Sequence, residues 1–301
     1  MGEQENIAVT TDAEQPGREQ TRVERLASQP LPLDSIVCGD NVATLATFPE
    51  TSIDLVVTSP PYDNLRTYSA GKSMAELWDF EGVAQQLWRV IKPGGVVVWV
   101  VADATIDGSE TGTSFRQALR FMEIGFRLHD TMIWEKVDPS PGDGKCRYHN
   151  AWEFMFVLSK GEPSARNMIR DVPCESAGKV YNKNWDRRRD ESSGGTDRTP
   201  WVMPEFGFRR NIWKTVHGGH QTDAVAFKHP AIFPEALARD HILSWSNEGD
   251  TVLDPFGGSG TTAKMARLMG RRFIHIDVNE GYCEIARKRL AQKLLDFGDA
   301  G

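Results

Sequence analysis

Thr58-Ser59-Pro60-Pro61-Tyr62 places a hydroxyl side chain, two imino acids and an aromatic ring at consecutive positions. The prolines fix φ and remove two backbone donors, which offers the carbonyls of Ser59 and Pro60 to a donor outside the sheet ladder, such as a substrate. A primary amine is the natural donor. Holding both hydrogens of such an amine, with the Ser59 side chain and the Pro60 carbonyl as acceptors, localises its lone pair for attack on an electrophile. Pro61 stiffens the corner, and Tyr62 supplies a ring on which a planar group can stack. A second stretch, Asp254-Pro255-Phe256-Gly257-Gly258-Ser259-Gly260-Thr261-Thr262, combines glycines that admit a ligand close to the backbone with a helix start whose dipole favours a negative group. Seventeen residues beyond Gly260, Asp277 ends the run Phe273-Ile274-His275-Ile276, where an acidic side chain can take both hydroxyls of a ribose.

The elements that must position these residues are legible as patterns. Ser35-Ile36-Val37-Cys38, Ile53 to Val57 and Val96 to Val101 read as buried strands, each followed by a loop. Met74 to Val90 has helical spacing and stops at Lys92-Pro93-Gly94-Gly95, so strand, helix and strand imply a parallel sheet. Ser114 to Ile124 reads as a further helix. Phe126 to Lys136 and Trp152 to Leu158 read as two strands pairing antiparallel at the sheet edge. Regular pattern returns at Pro234 to Ser244, Thr251 to Leu253, Thr261 to Met269, Phe273 to Asp277 and Glu280 to Phe297. The fold class expected is α/β: a Rossmann-like, doubly wound, mostly parallel sheet of about seven strands with an antiparallel edge hairpin. To it is added an irregular target-recognition insert.

In this order the two stretches resemble the amino-methyltransferases of DNA, enzymes that use S-adenosylmethionine to methylate an exocyclic base nitrogen. The resemblance is to the beta class, in which the catalytic tetrapeptide precedes the cofactor loop, and matching stretches run from about Asp34 to Leu290. It implies Ser59, Pro60, Pro61 and Tyr62 as catalytic residues and S-adenosylmethionine as cofactor. Asp254, Phe256, Gly257, Gly258 and Gly260 would face that cofactor, Thr261 and Thr262 would reach its methionine end, Asp277 its ribose and Asp40 its adenine. Lys228-His229-Pro230-Ala231-Ile232-Phe233-Pro234-Glu235 resembles the family's element that closes the pocket, with Phe233 near the methionine. Double-stranded DNA is the implied partner, and its target base must leave the duplex before its amine can be reached. Family members with Ser at the first tetrapeptide position mostly act on cytosine N4 and those with Asp on adenine N6, so Ser59 favours cytosine, with adenine N6 as the alternative. Methylation of RNA or of a protein amide, and a non-catalytic DNA-binding module, are the other readings.

The chain has 301 residues and a formal net charge of −7. A DNA reader of that composition must keep its positive charge local. Residues 161 to 220 hold eleven Lys or Arg against eight Asp or Glu, whereas residues 1 to 30 hold three against six. Within the first of these stretches Lys179, Lys183, Arg187, Arg188, Arg189, Arg209 and Arg210 are the candidate DNA contacts. Arg66, just after the catalytic corner, is one more, on a segment suited to close over DNA. The organisation expected is a disordered tail over 1–30, a catalytic half over 31–160, the insert over 161–220 and a cofactor-binding half over 221–301. Pro173-Cys174-Glu175 looks like the nucleophile of cytosine-C5 methylases but precedes the cofactor loop, so Cys174 reads as an incidental thiol. The four cysteines are scattered without metal-ligand spacing, so no metal and no disulfide are expected. With no apolar leader or span, the expectation is a cytoplasmic protein of bacterial or phage origin. Monomer or homodimer, and a cognate restriction endonuclease, stay open.

Overall fold

Val96 to Val101 are six apolar residues in a row, and a strand of that kind is stable only with both faces covered. The computed structural model describes residues 30–61, 78–140, 146–181, 200–215 and 234–291, and in it this run lies within Ile91–Val101 near the middle of an eight-stranded sheet. The strands are β1 (Ser35–Cys38), β2 (Ile53–Thr58), β3 (Ile91–Val101), β4 (Arg127–Ser140), β5 (Asn150–Ser159), β6 (Ile212–Thr215), β7 (Thr251–Asp254) and β8 (Arg272–Asp277). Their order in space is β1-β8-β7-β2-β3-β5-β4-β6. Every neighbouring pair is parallel except the two made by β5.

The helices are α1 (Asn41–Ala46), α2 (Phe80–Val90), α3 (Thr113–Ile124), α4 (Glu235–Trp245), α5 (Thr261–Leu268) and α6 (Glu280–Ala291). Alternation along β3 divides the core. Val97, Trp99 and Val101 pack with Leu45 of α1, Leu87 of α2 and Phe121 of α3. Val96, Val98 and Val100 pack on the other face with Leu237 and Ile242 of α4 and Ala263 and Ala266 of α5. Helices therefore cover both faces of a mostly parallel sheet, which is a doubly wound α/β architecture. Among the described residues no helix is long and apolar enough to cross a membrane.

Three expectations are corrected. The sheet has eight strands, not seven. The β4–β5 hairpin is not its edge, because β5 lies between β3 and β4, and β4 pairs in parallel with β6. The physical reason is visible in β5 itself: Met155, Phe156, Val157 and Leu158 are all buried, a continuous apolar run that suits a strand covered on both faces. The third correction concerns the stretch read as irregular. Its described residues form two small antiparallel pairs, Arg170–Pro173 with Phe206–Phe208 and Val180–Tyr181 with Trp201–Val202, and then contribute β6 to the main sheet. The helix expected from Met74 is described from Phe80, where Asp79 caps it by accepting from Gly82 N at 2.9 Å.

Chain direction now locates the crevice. From β2 the chain proceeds to β3 on one side, whereas from β7 it proceeds to β8 on the other. The reversal falls between β2 and β7, and loops leaving the carboxyl ends of two such strands diverge and leave room for a ligand. Those two strands end at Thr58 and Asp254.

Candidate active site

Thr58 and Asp254 are 196 positions apart, yet the Thr58 hydroxyl donates to Asp254 Oδ1 at 2.7 Å, with both side chains buried. The same carboxylate oxygen accepts from Phe256 N at 3.1 Å, which bends the chain after β7 and starts the glycine-rich turn. The Thr262 hydroxyl, on the first turn of α5, donates to the carbonyl of Val57 at 3.1 Å. Two cross-links thus lock the corner after β2 to the turn: one through the last residue of β2, the other through the residue before it. Ser59 and Pro61 are half-buried and Pro60 is buried, directly beyond this lock.

Burial pushes Asp254 up to about 6 from its ordinary 3.8, against the pull of the Thr58 hydroxyl, the Phe256 amide and the Thr262 hydroxyl. Between those two pH values the folded chain keeps a proton that the unfolded chain has released. Stability from this group is therefore fully present below the unfolded value and is lost as the pH rises through about 6. Asp254→Asn removes that slope, which is at most about 1.4 kcal/mol per pH unit. Urea midpoints at pH 4.5 and 6.5 are expected to differ less in the variant than in the parent. An unchanged difference would assign the slope to other groups.

The turn is shaped by contacts that exclude side chains. Gly257 N donates to Ile276 O at 2.9 Å, and a Cβ at Gly257 would meet His275 Nδ1 at 2.1 Å. Gly260 has φ of +81° and precedes α5, so its backbone conformation suits glycine. Gly257→Ala is expected to cost about 1–3 kcal/mol and to weaken cofactor binding, because the turn must leave the imidazole. Chemical unfolding together with a cofactor titration would show it. Stability and affinity both equal to the parent's would mean that the turn tolerates the methyl.

Arg289 lies beneath the turn with its side chain wholly buried. It donates from Nη1 to Ser259 O at 2.8 Å, Ser259 Oγ at 3.1 Å and Thr261 Oγ1 at 3.1 Å, and from Nη2 to Glu235 Oε1 at 2.7 Å. Glu235 also holds Lys264 at 2.8 Å. The hydroxyls of Thr261 and Thr262, expected at a ligand's methionine end, thus have partners inside the protein: Thr261 accepts from Arg289 and Thr262 donates to the carbonyl of Val57. Arg289 was not singled out from the sequence. The available signal was its spacing: Cys283, Ala286 and Arg289 fall at i, i+3 and i+6 on the buried face of α6, and an arginine on such a face needs a dedicated partner set.

Asp277 ends β8 as Asp254 ends β7. Its Oδ2 accepts from Gly258 N at 2.8 Å and its Oδ1 from Asn279 N at 2.8 Å, so the carboxylate is fixed in orientation with acceptor capacity to spare. Burial raises its pKa against those two amides. Asp40 follows β1, the neighbour of β8, and caps α1 by accepting from Ala43 N at 2.8 Å. Asn41 Nδ2 donates to Pro255 O at 3.3 Å, which ties this loop to the turn. Phe256 is half-buried, its ring 4.8 Å from Trp78 and perpendicular to it. A fixed acid beyond the turn, a glycine backbone at a helix start and an acid one strand further out form a donor set that fits an adenosyl group carrying an amino acid.

Asp103, which follows β3, was also missed. It accepts from Ser114 N at 2.9 Å, Ser114 Oγ at 2.5 Å and Thr111 Oγ1 at 3.1 Å, and so anchors the start of α3. Of the candidate DNA contacts, Lys179 and Arg210 are exposed. Arg209 is paired with Asp171 and with Asp240, the latter at 2.5 Å, and lies 5.2 Å from the centre of the Trp213 ring. Tyr62, Arg66, Lys183, Arg187, Arg188, Arg189, Lys228 and Phe233 lie outside the described residues. A groove lined by Asp34, Arg267, Arg271 and Arg272 opens at the amino ends of β1 and β8, away from every acid named above.

The model of a DNA methylase family, that of the N6/N4 methyltransferases, matches residues 53–288. The orphan methyltransferase M.BamHII of Bacillus amyloliquefaciens is 52% identical over 250 residues, covering 82% of this chain and 91% of that protein. Among solved structures, the PvuII DNA methyltransferase, described as cytosine-N4-specific, superposes with a TM-score of 0.63 at 23% identity, covering 87% of each chain. M1.HpyAVI in complex with S-adenosylmethionine gives 0.53 at 23% identity over 85% of this chain and 99% of that one.

Proposed function

Since the chain belongs to the N6/N4 DNA methylase family, we propose that it transfers the methyl group of S-adenosylmethionine to the exocyclic N4 of cytosine in duplex DNA. It is a DNA methyltransferase and S-adenosylmethionine is its cofactor. The cytosine assignment, the flipped base and the residue roles are our reading. One observation carries it: the Thr58–Asp254 bond joins the acceptor corner to the glycine-rich turn at the point where the sheet reverses direction.

The cofactor supplies an electrophilic methyl on a sulfonium. The chain supplies position. The backbone of Gly257, Gly258 and Gly260 receives the methionine end, Asp277 the ribose and Asp40 the adenine side, while Phe256 packs beside the cofactor. Lys228 and Phe233, which lie outside the described residues, would close the pocket. The Ser59 side chain and the Pro60 carbonyl accept the two amino hydrogens of the base, and Tyr62 stacks on it. With S-adenosylmethionine bound, its methyl would pass to the amine nitrogen with the thioether S-adenosylhomocysteine as leaving group, and the surplus amine proton, held until then by the Ser59 side chain or the Pro60 carbonyl, would pass to solvent.

Ser59 at the first tetrapeptide position supports cytosine over adenine, as does the stated specificity of the PvuII enzyme. The test is mass spectrometry of nucleosides from unmethylated DNA incubated with the protein and S-adenosylmethionine. N4-methylcytosine is expected. N6-methyladenine would reverse the base assignment, and no methylated base would sink the reading.

Residues 161–220 are read as the target-recognition insert between a catalytic half, 31–160, and a cofactor-binding half, 221–301. Of the cations named above as candidate DNA contacts, Lys179 and Arg210 are described and exposed. Replacing Arg187, Arg188 and Arg189 with Ala is expected to weaken DNA binding and to reduce its salt slope by up to about three. An unaltered slope would remove these arginines from the interface.

A further inference from the structure

The two small antiparallel pairs within residues 161–220 belong to one ribbon. Beyond the paired strands already described, Arg209 N donates to Ile169 O, Cys174 N to Glu205 O, Gly178 N to Met203 O and Met203 N to Lys179 O, each at 2.9 Å. Two arms, 169–181 and 201–209, therefore run side by side, with a bulge at 174–178 and a length of about 26 Å along the shorter arm. The root is held. The Arg209 guanidinium pairs with Asp171 on the opposite arm and with Asp240 of α4, and β6 begins three residues later. The far end is aromatic: Trp201 lies opposite Tyr181 on one face with the rings 5.9 Å apart, and Val202 lies opposite Val180 on the other. All four are exposed, Trp201 by 53%. Phe208 is 56% exposed, with the Arg170 guanidinium 4.0 Å from its ring centre. A two-stranded ribbon that shows apolar groups on both faces has no core of its own and calls for something to lie against.

We propose, on the footing of the methyltransferase reading, that this ribbon enters the major groove of duplex DNA and that Trp201 and Tyr181 determine specificity there. The major groove is about 12 Å wide and admits a two-stranded ribbon. Charge selects the same occupant. Residues 161–220 hold eleven Lys or Arg against eight Asp or Glu, a net of +3, in a chain whose formal net charge is −7, so a polyanion is drawn to this part of the molecule. The arms themselves are neutral, with Arg170, Lys179 and Arg209 against Asp171, Glu175 and Glu205. Phosphate is therefore left to the other cations of the insert, while the ribbon offers rings and branched side chains suited to apolar contact with base edges and thymine methyl groups. Anchorage of the root to α4 and β6 gives those side chains the fixed placement that base discrimination needs.

The test uses the full chain and a duplex carrying its methylated site, mapped by sequencing a plasmid that it has modified. Trp201→Ala and Tyr181→Ala are exposed changes and should leave the melting temperature, the cofactor affinity and the single-turnover rate at saturating DNA unchanged. Each should raise the dissociation constant for the site about tenfold and narrow the kcat/KM ratio between the site and its single-base variants by a similar factor. The salt slope of binding should match the parent's, because no phosphate contact is lost. Trp201→Phe, which keeps a ring, should recover most of the affinity, and netropsin, a minor-groove ligand, should not displace the protein. Parental selectivity in both alanine variants, a salt slope reduced by about one or more, or displacement by netropsin would overturn the assignment. So would a fall in melting temperature, which would mean that the chain itself covers these rings. In each of those cases a parent that methylates DNA keeps the methyltransferase reading, whereas a parent that neither binds nor modifies DNA would sink both.

Discussion

Alanine at position 59 is expected to lower kcat by about two to three orders of magnitude while leaving the affinity for S-adenosylmethionine within about twofold. Ser59 follows Thr58 directly, and Thr58 is fixed by its bond to the buried Asp254, so the corner keeps its shape when only the side chain at 59 is shortened. What is lost is one of two acceptors for the amino hydrogens. The Pro60 carbonyl remains, and the residual rate reports what it does alone. Single-turnover methylation and equilibrium cofactor binding separate the two effects. A fall in kcat of less than about tenfold would mean that the serine side chain does not hold the amine.

The second large effect belongs to stability. Arg289→Met removes a buried cation whose Nη1 serves Ser259 and Thr261 and whose Nη2 serves Glu235. The variant leaves the Ser259 carbonyl short of a donor, and Glu235 keeps only Lys264 among the cations paired with it here. Breaking a buried ion pair by removing one partner costs about 3–5 kcal/mol. Because the same arginine supports the turn from below, affinity for the cofactor should fall with it. Arg289→Lys preserves the charge but cannot reproduce the fork, and should recover part of the stability and less of the affinity. Urea unfolding with and without cofactor distinguishes these outcomes. A stability loss below about 1 kcal/mol would show that Arg289 does not carry the turn.

Most strands and the two loops at the reversal point were legible in the sequence, and the clearest are buried apolar runs that end in residues of restricted or unusual backbone freedom. β2 and β7 are examples, with Pro60-Pro61 after one and Pro255 to Gly260 after the other. The edge strand β6 was not legible. Ile212-Trp213-Lys214-Thr215 is short, and what makes it a strand is pairing with β4, a contact that local pattern does not encode. The surroundings of Arg209 were not legible for a related reason: a guanidinium is equally suited to phosphate and to carboxylate, and only the fold shows that Asp171 and Asp240 stand beside it. Arg289 hid among the charges of α6 until its burial was seen. The partners of the turn's threonines were equally hidden: Thr261 meets Arg289 and Thr262 meets Val57 O only once the fold brings them together.

The strand order has a consequence for how the protein comes into being. Among the described residues β1 pairs only with β8, and β7 completes the gap between β8 and β2, so a chain emerging from the ribosome has made the Pro60-Pro61 corner long before it owns the strands that hold it. Until residues 251–277 appear, β1 lacks that neighbour, the β7 side of β2 is a bare edge and Thr58 lacks its acceptor. A product terminated before β7 would therefore be inert and prone to aggregation rather than a partially active enzyme. Modification of DNA would begin only once β7 and β8 have been made.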